Sequence, residues 1–144
     1  MSPERLWMIS IALHERGRRR LALWVRRLNT MIYHNSLPTC AIVAEDIRFG
    51  HHGFGNVIHE NVTIGRNVWM WHNVTLEVRG GGENRIHIGD GVRIGANVVI
   101  VASPGRDLRI GAGARIGAGA TVTHDIPAGA TVVKVAPRVL DAHA

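Results

Sequence analysis

The chain has a single cysteine, Cys40, among 144 residues. That excludes a disulfide framework or a cysteine-based zinc site within one chain. With no base beside it in "SLPTC", Cys40 reads as a buried structural thiol, and a reducing cytoplasm fits. Aromatics make up only 5% of the sequence, so the core has to be built from Val, Ile and Ala. Long hydrophobic runs are missing too. The apolar patch Leu6–Leu13 is short, holds polar residues and precedes the arginines, which argues against a secretory signal or a membrane span. Acidic residues are scarce near the start. Residues 1–34 hold seven arginines against Glu4 and Glu15, a net charge of +5, while the remaining 110 residues carry +1. A basic segment of this kind attracts anionic lipid, phosphate or nucleic acid, or simply faces water.

What is present falls into two regions. In "MSPERLWMISIALHERG", Ser2 suits a helix N-cap, Pro3 the first turn and Gly17 a stop. Leu6, Ile9 and Leu13 recur at helical spacing. Leu21, Trp24, Leu28 and Ile32 mark a second helix, and both apolar stripes are expected to pack on the rest of the protein. From about residue 56 the period becomes six. Ile58, Ile64, Met70 and Leu76 are six apart, as are Ile88, Ile94 and Ile100, and again Ile110, Ile116 and Val122. A small apolar residue lies two positions before most of them, and glycine often follows. A six-residue period fits neither a helix nor a simple strand. It marks a solenoid in which three hexads close one coil. Two segments break the pattern. Residues 77–87 keep the register without the motif and should loop out. Residues 101–107 carry four extra residues centred on "SPGR".

The hexads, "HHGFGNVIHENVTIG", "IGDGVRIGANVVI" and "IGAGATV" resemble the hexapeptide-repeat acyltransferases. The likeness falls in the serine acetyltransferase-like branch, which includes exopolysaccharide O-acetyltransferases. It covers about residues 49–138. It implies a mainly β protein, a left-handed parallel β-helix behind a short helical region, with boundaries at 1–34, 35–138 and a tail 139–144. It implies a homotrimer with acetyl-CoA as co-substrate, no metal and a cytoplasmic location. The acceptor would be a glycan or small molecule. The helical region 1–34 could rest on an anionic membrane surface at the inner face, and no nucleic acid is expected.

The resemblance makes His52 the general base, with Gly55 as the motif glycine. His51 stands where the family has aspartate, and a one-residue slip would make His51 the base. Both histidines could instead merely cap a turn. An imidazole suits the role because its pKa lies near neutrality. His72 is a candidate substrate contact, and His59 a surface residue. Trp69 and Trp71 should point outward, towards a subunit interface or a sugar-binding face. Ala96 and Ala118 match the family's small residues along the coenzyme, and Gly80 and Gly81 its glycine-rich loop, which makes all four candidate coenzyme contacts. Asn84 and Arg85, candidate substrate contacts, stand where serine acetyltransferases carry an Arg-His pair, which weakens serine recognition. The reading is therefore O-acetylation of a saccharide hydroxyl. The alternatives are serine acetylation, a γ-carbonic-anhydrase-like metal site and a non-catalytic trimeric scaffold. No His-x4-His occurs, which counts against the metal site.

Overall fold

A computed structural model describes residues 1–80 and 82–135. Two helices, α1 (Pro3–Glu15) and α2 (Arg19–Tyr33), precede thirteen short strands. Ser2 caps α1, its Oγ accepting from the Arg5 amide at 3.4 Å, and Pro3 opens the helix. Leu6, Trp7 and Ser10 form the buried face of α1. Trp7 Nε1 donates to the Pro38 carbonyl at 2.7 Å, and its ring stacks on Phe49 at 5.9 Å. That one side chain ties the helices to the first coil.

The strands are β1 (Ile42–Val43), β2 (Arg48–Phe49), β3 (Val57–Ile58), β4 (Val62–Ile64), β5 (Trp69–Met70), β6 (Thr75–Val78), β7 (Ile86–Ile88), β8 (Arg93–Ile94), β9 (Val99–Ala102), β10 (Leu108–Ile110), β11 (Arg115–Ile116), β12 (Thr121–Val122) and β13 (Thr131–Val132). They make three parallel sheets, ordered β1-β4-β7-β10, β2-β5-β8-β11-β13 and β3-β6-β9-β12. Successive strands belong to different sheets, so the chain winds round a three-sided prism of about four turns. This is the parallel β-helix that the hexads predict. Every hexad residue named above is buried, from Ile58 to Val122. The glycine after the aliphatic residue has a steric reason. A Cβ on Gly95 would lie 2.6 Å from the Ala118 amide nitrogen of the next coil, and one on Gly89 2.7 Å from that of Ala112.

The two irregular segments lie against each other. Val57 pairs with Thr75, eighteen residues on, which is three hexads. Thr75 pairs with Val99, twenty-four on, and Val99 with Thr121, twenty-two on. The first excursion therefore adds six residues to its coil. That is why it keeps the sequence period without being a hexad of the wall. Residues 77, 78, 86 and 87 stay in the sheets, so the loop is narrower than 77–87 and lies between Val78 and Ile86. Likewise Val101 and Ala102 remain in β9, and the second loop spans residues 103–107. A Cβ on Gly80 would meet Pro104 at 2.8 Å. Asn84 Nδ2 donates to the Ser103 carbonyl at 2.9 Å, and the Arg85 amide to Asp107 Oδ1 at 2.8 Å.

Three expectations are corrected. On α1 only Leu6 of the stripe is buried, while Leu13 is half-buried and Ile9 exposed. The stripe on α2 does not pack inward. Leu21, Trp24, Leu28 and Ile32 are all exposed, Trp24 at 67%. The buried residues of α2 are Ala22 and Asn29, and Asn29 Nδ2 donates to the Pro3 carbonyl at 2.9 Å. A small residue and a polar anchor allow a close approach to α1, which leaves the large side chains outside. Cys40 is exposed, not buried. Its thiol pKa is raised by partial desolvation and then by Glu60, whose Oε2 lies 3.5 Å from Sγ. The expectations for Gly81 and the tail 139–144 lie outside the described residues.

Candidate active site

The segment "FGHHGFGN" joins β2 to β3 through a short 3₁₀ turn, Gly50–Gly53. His51 (φ 49°, ψ 41°) and His52 (φ 57°, ψ 20°) are both left-handed. For a non-glycine residue this costs of order 1–3 kcal/mol, so the surroundings must over-determine the conformation. They do so from two sides. The Gly55 amide donates to the His34 carbonyl at the end of α2 (3.2 Å), and the Asn73 amide of the next coil donates to the Phe54 carbonyl (2.7 Å). Buried Asn56 accepts from the Val74 amide through Oδ1 at 2.9 Å. Gly55, at φ 70°, passes Asn73 so closely that a Cβ would lie 2.0 Å from Oδ1.

Both imidazoles are exposed, and each has a ring neighbour. His51 lies 5.4 Å from Trp71 and stands edge-on to His72 at 5.0 Å. His52 stacks on Tyr33 of α2 at 5.7 Å and 20°. His72 is half-buried, and its Nδ1 is buried without a hydrogen-bond partner. Trp69 and Trp71 point outward as expected, at 37% and 39% exposure, with their rings stacked at 6.1 Å. His59 is half-buried, and its Nδ1 accepts from the Asn61 amide at 3.0 Å.

Five of the candidate residues share one edge of the prism. The histidine turn lies at the β2–β3 corner, His72 at β5–β6, Ala96 at β8–β9 and Ala118 at β11–β12. A ladder of backbone bonds runs along this edge: Asn73 amide to Phe54 carbonyl, Asn97 amide to His72 carbonyl at 3.1 Å, and Gly119 amide to Ala96 carbonyl at 2.8 Å. Gly80, Asn84 and Arg85 lie elsewhere, at the β6–β7 corner. Asn84 is buried and spends its amide donors on the Arg79 and Ser103 carbonyls. Arg85 Nη1 reaches the Val62 carbonyl at 3.4 Å and Thr63 Oγ1 at 3.5 Å. Close by, His87 Nε2 lies 2.9 Å from Asp107 Oδ2. The Arg85 amide, and after it His87, hold the Asp107 carboxyl below its ordinary pKa. Among the described residues of one chain, no three His, Cys, Asp or Glu side chains are grouped to hold a metal ion. Sequence reasoning missed Tyr33 and the contact between Trp71 and His51. The only signal for Tyr33 was its place at the end of the second helical pattern.

A three-sided parallel solenoid with a histidine-bearing turn on one edge defines the class as a hexapeptide-repeat β-helix. The comparisons narrow this. The chain is 33% identical over 123 residues to serine acetyltransferase 4 of Arabidopsis thaliana, covering 84% of this chain and 33% of that protein. It is 39% identical over 90 residues to the putative colanic acid biosynthesis acetyltransferase WcaB of Escherichia coli K12, covering 62% and 53%. Its structure matches Neisseria gonorrhoeae serine acetyltransferase in complex with serine, with TM-score 0.80 and 32% identity over 92% of this chain and 53% of that one. It also matches the Brucella abortus enzyme in complex with coenzyme A, with TM-score 0.80 and 26% identity over 93% and 52%. No family model matches the chain. The chain spans only about a third to a half of the length of these proteins. Relatives and structural neighbours are thus acetyltransferases, consistent with a hexapeptide-repeat acyltransferase of the serine acetyltransferase-like branch.

Proposed function

We propose that this chain is an acetyl-CoA-dependent O-acetyltransferase whose acceptor is a saccharide hydroxyl in cell-surface polysaccharide synthesis. The observation that carries the reading is the shared edge, with His51, His52 and His72 at one end and Ala96 and Ala118 further along it. His52 takes the hydroxyl proton as the acceptor oxygen attacks the thioester carbonyl. The tetrahedral intermediate collapses with cleavage of the C–S bond, and the imidazolium returns the proton to the leaving thiolate. The small residues at Ala96, Ala118 and Gly80 let the pantetheine arm approach backbone groups. Arg85 faces the acceptor, while Asn84, with its donors spent on loop carbonyls, supports the loop. A specific observation favours a second assignment, with His51 as base. It alone of the pair touches His72, whose Nδ1 has no partner.

The working unit in this reading is a homotrimer, in which a neighbour brings its β6–β7 corner against the histidine edge. Residues 1–34 and 35–138 act as a helical region and a transferase domain. No helix among the described residues is long and apolar enough to cross a membrane. The exposed apolar ridge of α2, with Arg19, Arg20, Arg26 and Arg27 and no acidic residue in the helix, would hold a cytoplasmic enzyme on an anionic membrane surface. The test is thiol release from acetyl-CoA with saccharide acceptors and L-serine side by side. Acetylated saccharide with inert serine supports the reading. The reverse result makes serine the acceptor, and release with neither leaves a scaffold.

A further inference from the structure

On the outer face of the five-stranded sheet, one residue from each coil stands in register. Arg48 pairs with Trp69, Trp69 with Arg93, Arg93 with Arg115, and Arg115 with Thr131. All five are exposed. Parallel neighbours lie about 4.8 Å apart, so Arg93 and Arg115 are adjacent like charges, an arrangement that destabilises a sheet. Among the described residues, none of these arginines is in an ion pair. The nearby carboxylates of Asp46 and Asp90 are occupied at turns, where each Oδ1 accepts a backbone amide, of Asn67 and Arg66 respectively. Arg93 lies over the Trp69 ring, 5.7 Å from its centroid. The row is therefore a cationic strip beside two indoles, with no ion-pair partner among the described residues.

The strip also leads somewhere. Trp71 follows Trp69 by two residues, on the same side of the strand, with its ring 9° from parallel. Trp71 touches His51, and His51 touches His72. An unbroken series of ring contacts joins Arg93 to His51 and His72, beside the proposed base His52.

We propose that Trp69, Trp71, Arg48, Arg93 and Arg115 form the binding track for an anionic saccharide chain, seating carboxylate- or phosphate-bearing sugar units beside the histidine turn. A pyranose has apolar C–H faces that lie flat on an indole, and acidic substituents that project to the side. The track offers both partners at the spacing of the coils. Single-stranded nucleic acid also uses aromatic and basic groups, but there successive bases stack on separate platforms. Here the two indoles stack on each other, which removes the separate platforms that successive bases would need. The proposal rests on the O-acetyl-transfer reading for its purpose but is tested without catalysis.

The probe is tetragalacturonate, titrated without acetyl-CoA against the whole chain and followed by indole fluorescence. A Trp24→Phe background removes the exposed indole of α2. Tetragalacturonate should bind at least tenfold more tightly than neutral maltotetraose and weaken as salt rises. Arg93→Gln with Arg115→Gln should abolish that preference with a melting temperature no lower than before, since it relieves a like-charge pair, and Arg93→Lys with Arg115→Lys should restore most of it. Equal binding of the two tetrasaccharides, no binding of either, or indifference to the glutamine pair overturns the track. Tighter binding of oligothymidylate than of tetragalacturonate overturns it in favour of nucleic acid. If tetragalacturonate binds as expected but no acceptor releases thiol, the track stands and the transferase reading falls. If neutral saccharides are acetylated and tetragalacturonate does not bind, the outcome is the opposite.

Discussion

The six-membered ring of Trp71 occupies the space where a side chain on Gly50 would sit. A Cβ there would lie 2.5 Å from Cε3 and 2.7 Å from Cδ2. Trp71 is thus a lid on the backbone of the turn that presents His51 and His52. Gly50→Ala should displace the indole and cost about 1–3 kcal/mol, the usual range for overpacking. The matching check is a double-mutant cycle. Trp71→Ala should recover most of the stability lost by Gly50→Ala, and additive losses would mean that the two residues do not meet.

His52→Ala should lower turnover about 10²- to 10⁴-fold, the usual cost of losing a general base. Coenzyme affinity should stay nearly unchanged. The decisive comparison is His51→Ala under the same assay. Inactive His51→Ala beside active His52→Ala would move the base by one residue.

Asp107 makes the stacked loops sensitive to acid. Its carboxyl accepts from the Arg85 amide and lies against His87, which lowers its pKa in the folded state below the ordinary 3.8. Such a group stabilises the folded form fully above its unfolded pKa. The contribution is lost as pH falls through the lower, folded value. Amide exchange in residues 79–85 should therefore speed up below about pH 4, relative to the rest of the chain. Asp107→Asn should show fast exchange there at neutral pH as well.

Analytical sedimentation should find a trimer at micromolar concentration. The working unit proposed above requires it, because in one chain Arg85 and the histidine turn occupy different edges of the prism. A stable monomer that still transfers acetyl groups would remove the need for a neighbour's loop.

Vesicle co-sedimentation tests α2. Each basic group near an anionic surface contributes about 1 kcal/mol, so binding should be strong to anionic vesicles and lost in high salt. Trp24→Ser should weaken it by removing the most exposed ring of the ridge. Equal failure with anionic and neutral vesicles would make a soluble acceptor the better choice.

The solenoid was legible because its cause is local. An aliphatic residue every sixth position and a glycine at each tight corner can be read off the chain without knowing the fold. The histidine turn was legible for the same reason, lying at a countable offset from the first hexads. The outward face of α2 was not. Periodicity shows that Leu21, Trp24, Leu28 and Ile32 share a face, but not which face meets α1. Ala22 and Asn29 decided that through close approach and one hydrogen bond. The fit between the β6–β7 and β9–β10 loops was also hidden, since it depends on the register of β6 on β9 and of β7 on β10. The pairing of Tyr33 with His52 joins residues nineteen apart through the packing of α2, which no spacing rule encodes.

The ladder along the histidine edge makes that edge a ruler graduated in coils. From the turn at His52 to the corner at Ala118 is three steps, about 14 Å at the spacing of parallel strands. Any change in the number of coils between them would alter this distance by a whole step and never by a fraction. If the proposed thioester lies along this edge, its reach is therefore quantised. A longer or shorter acyl carrier would be matched by adding or removing a complete coil, while substitutions within a coil adjust only what each mark on the ruler touches.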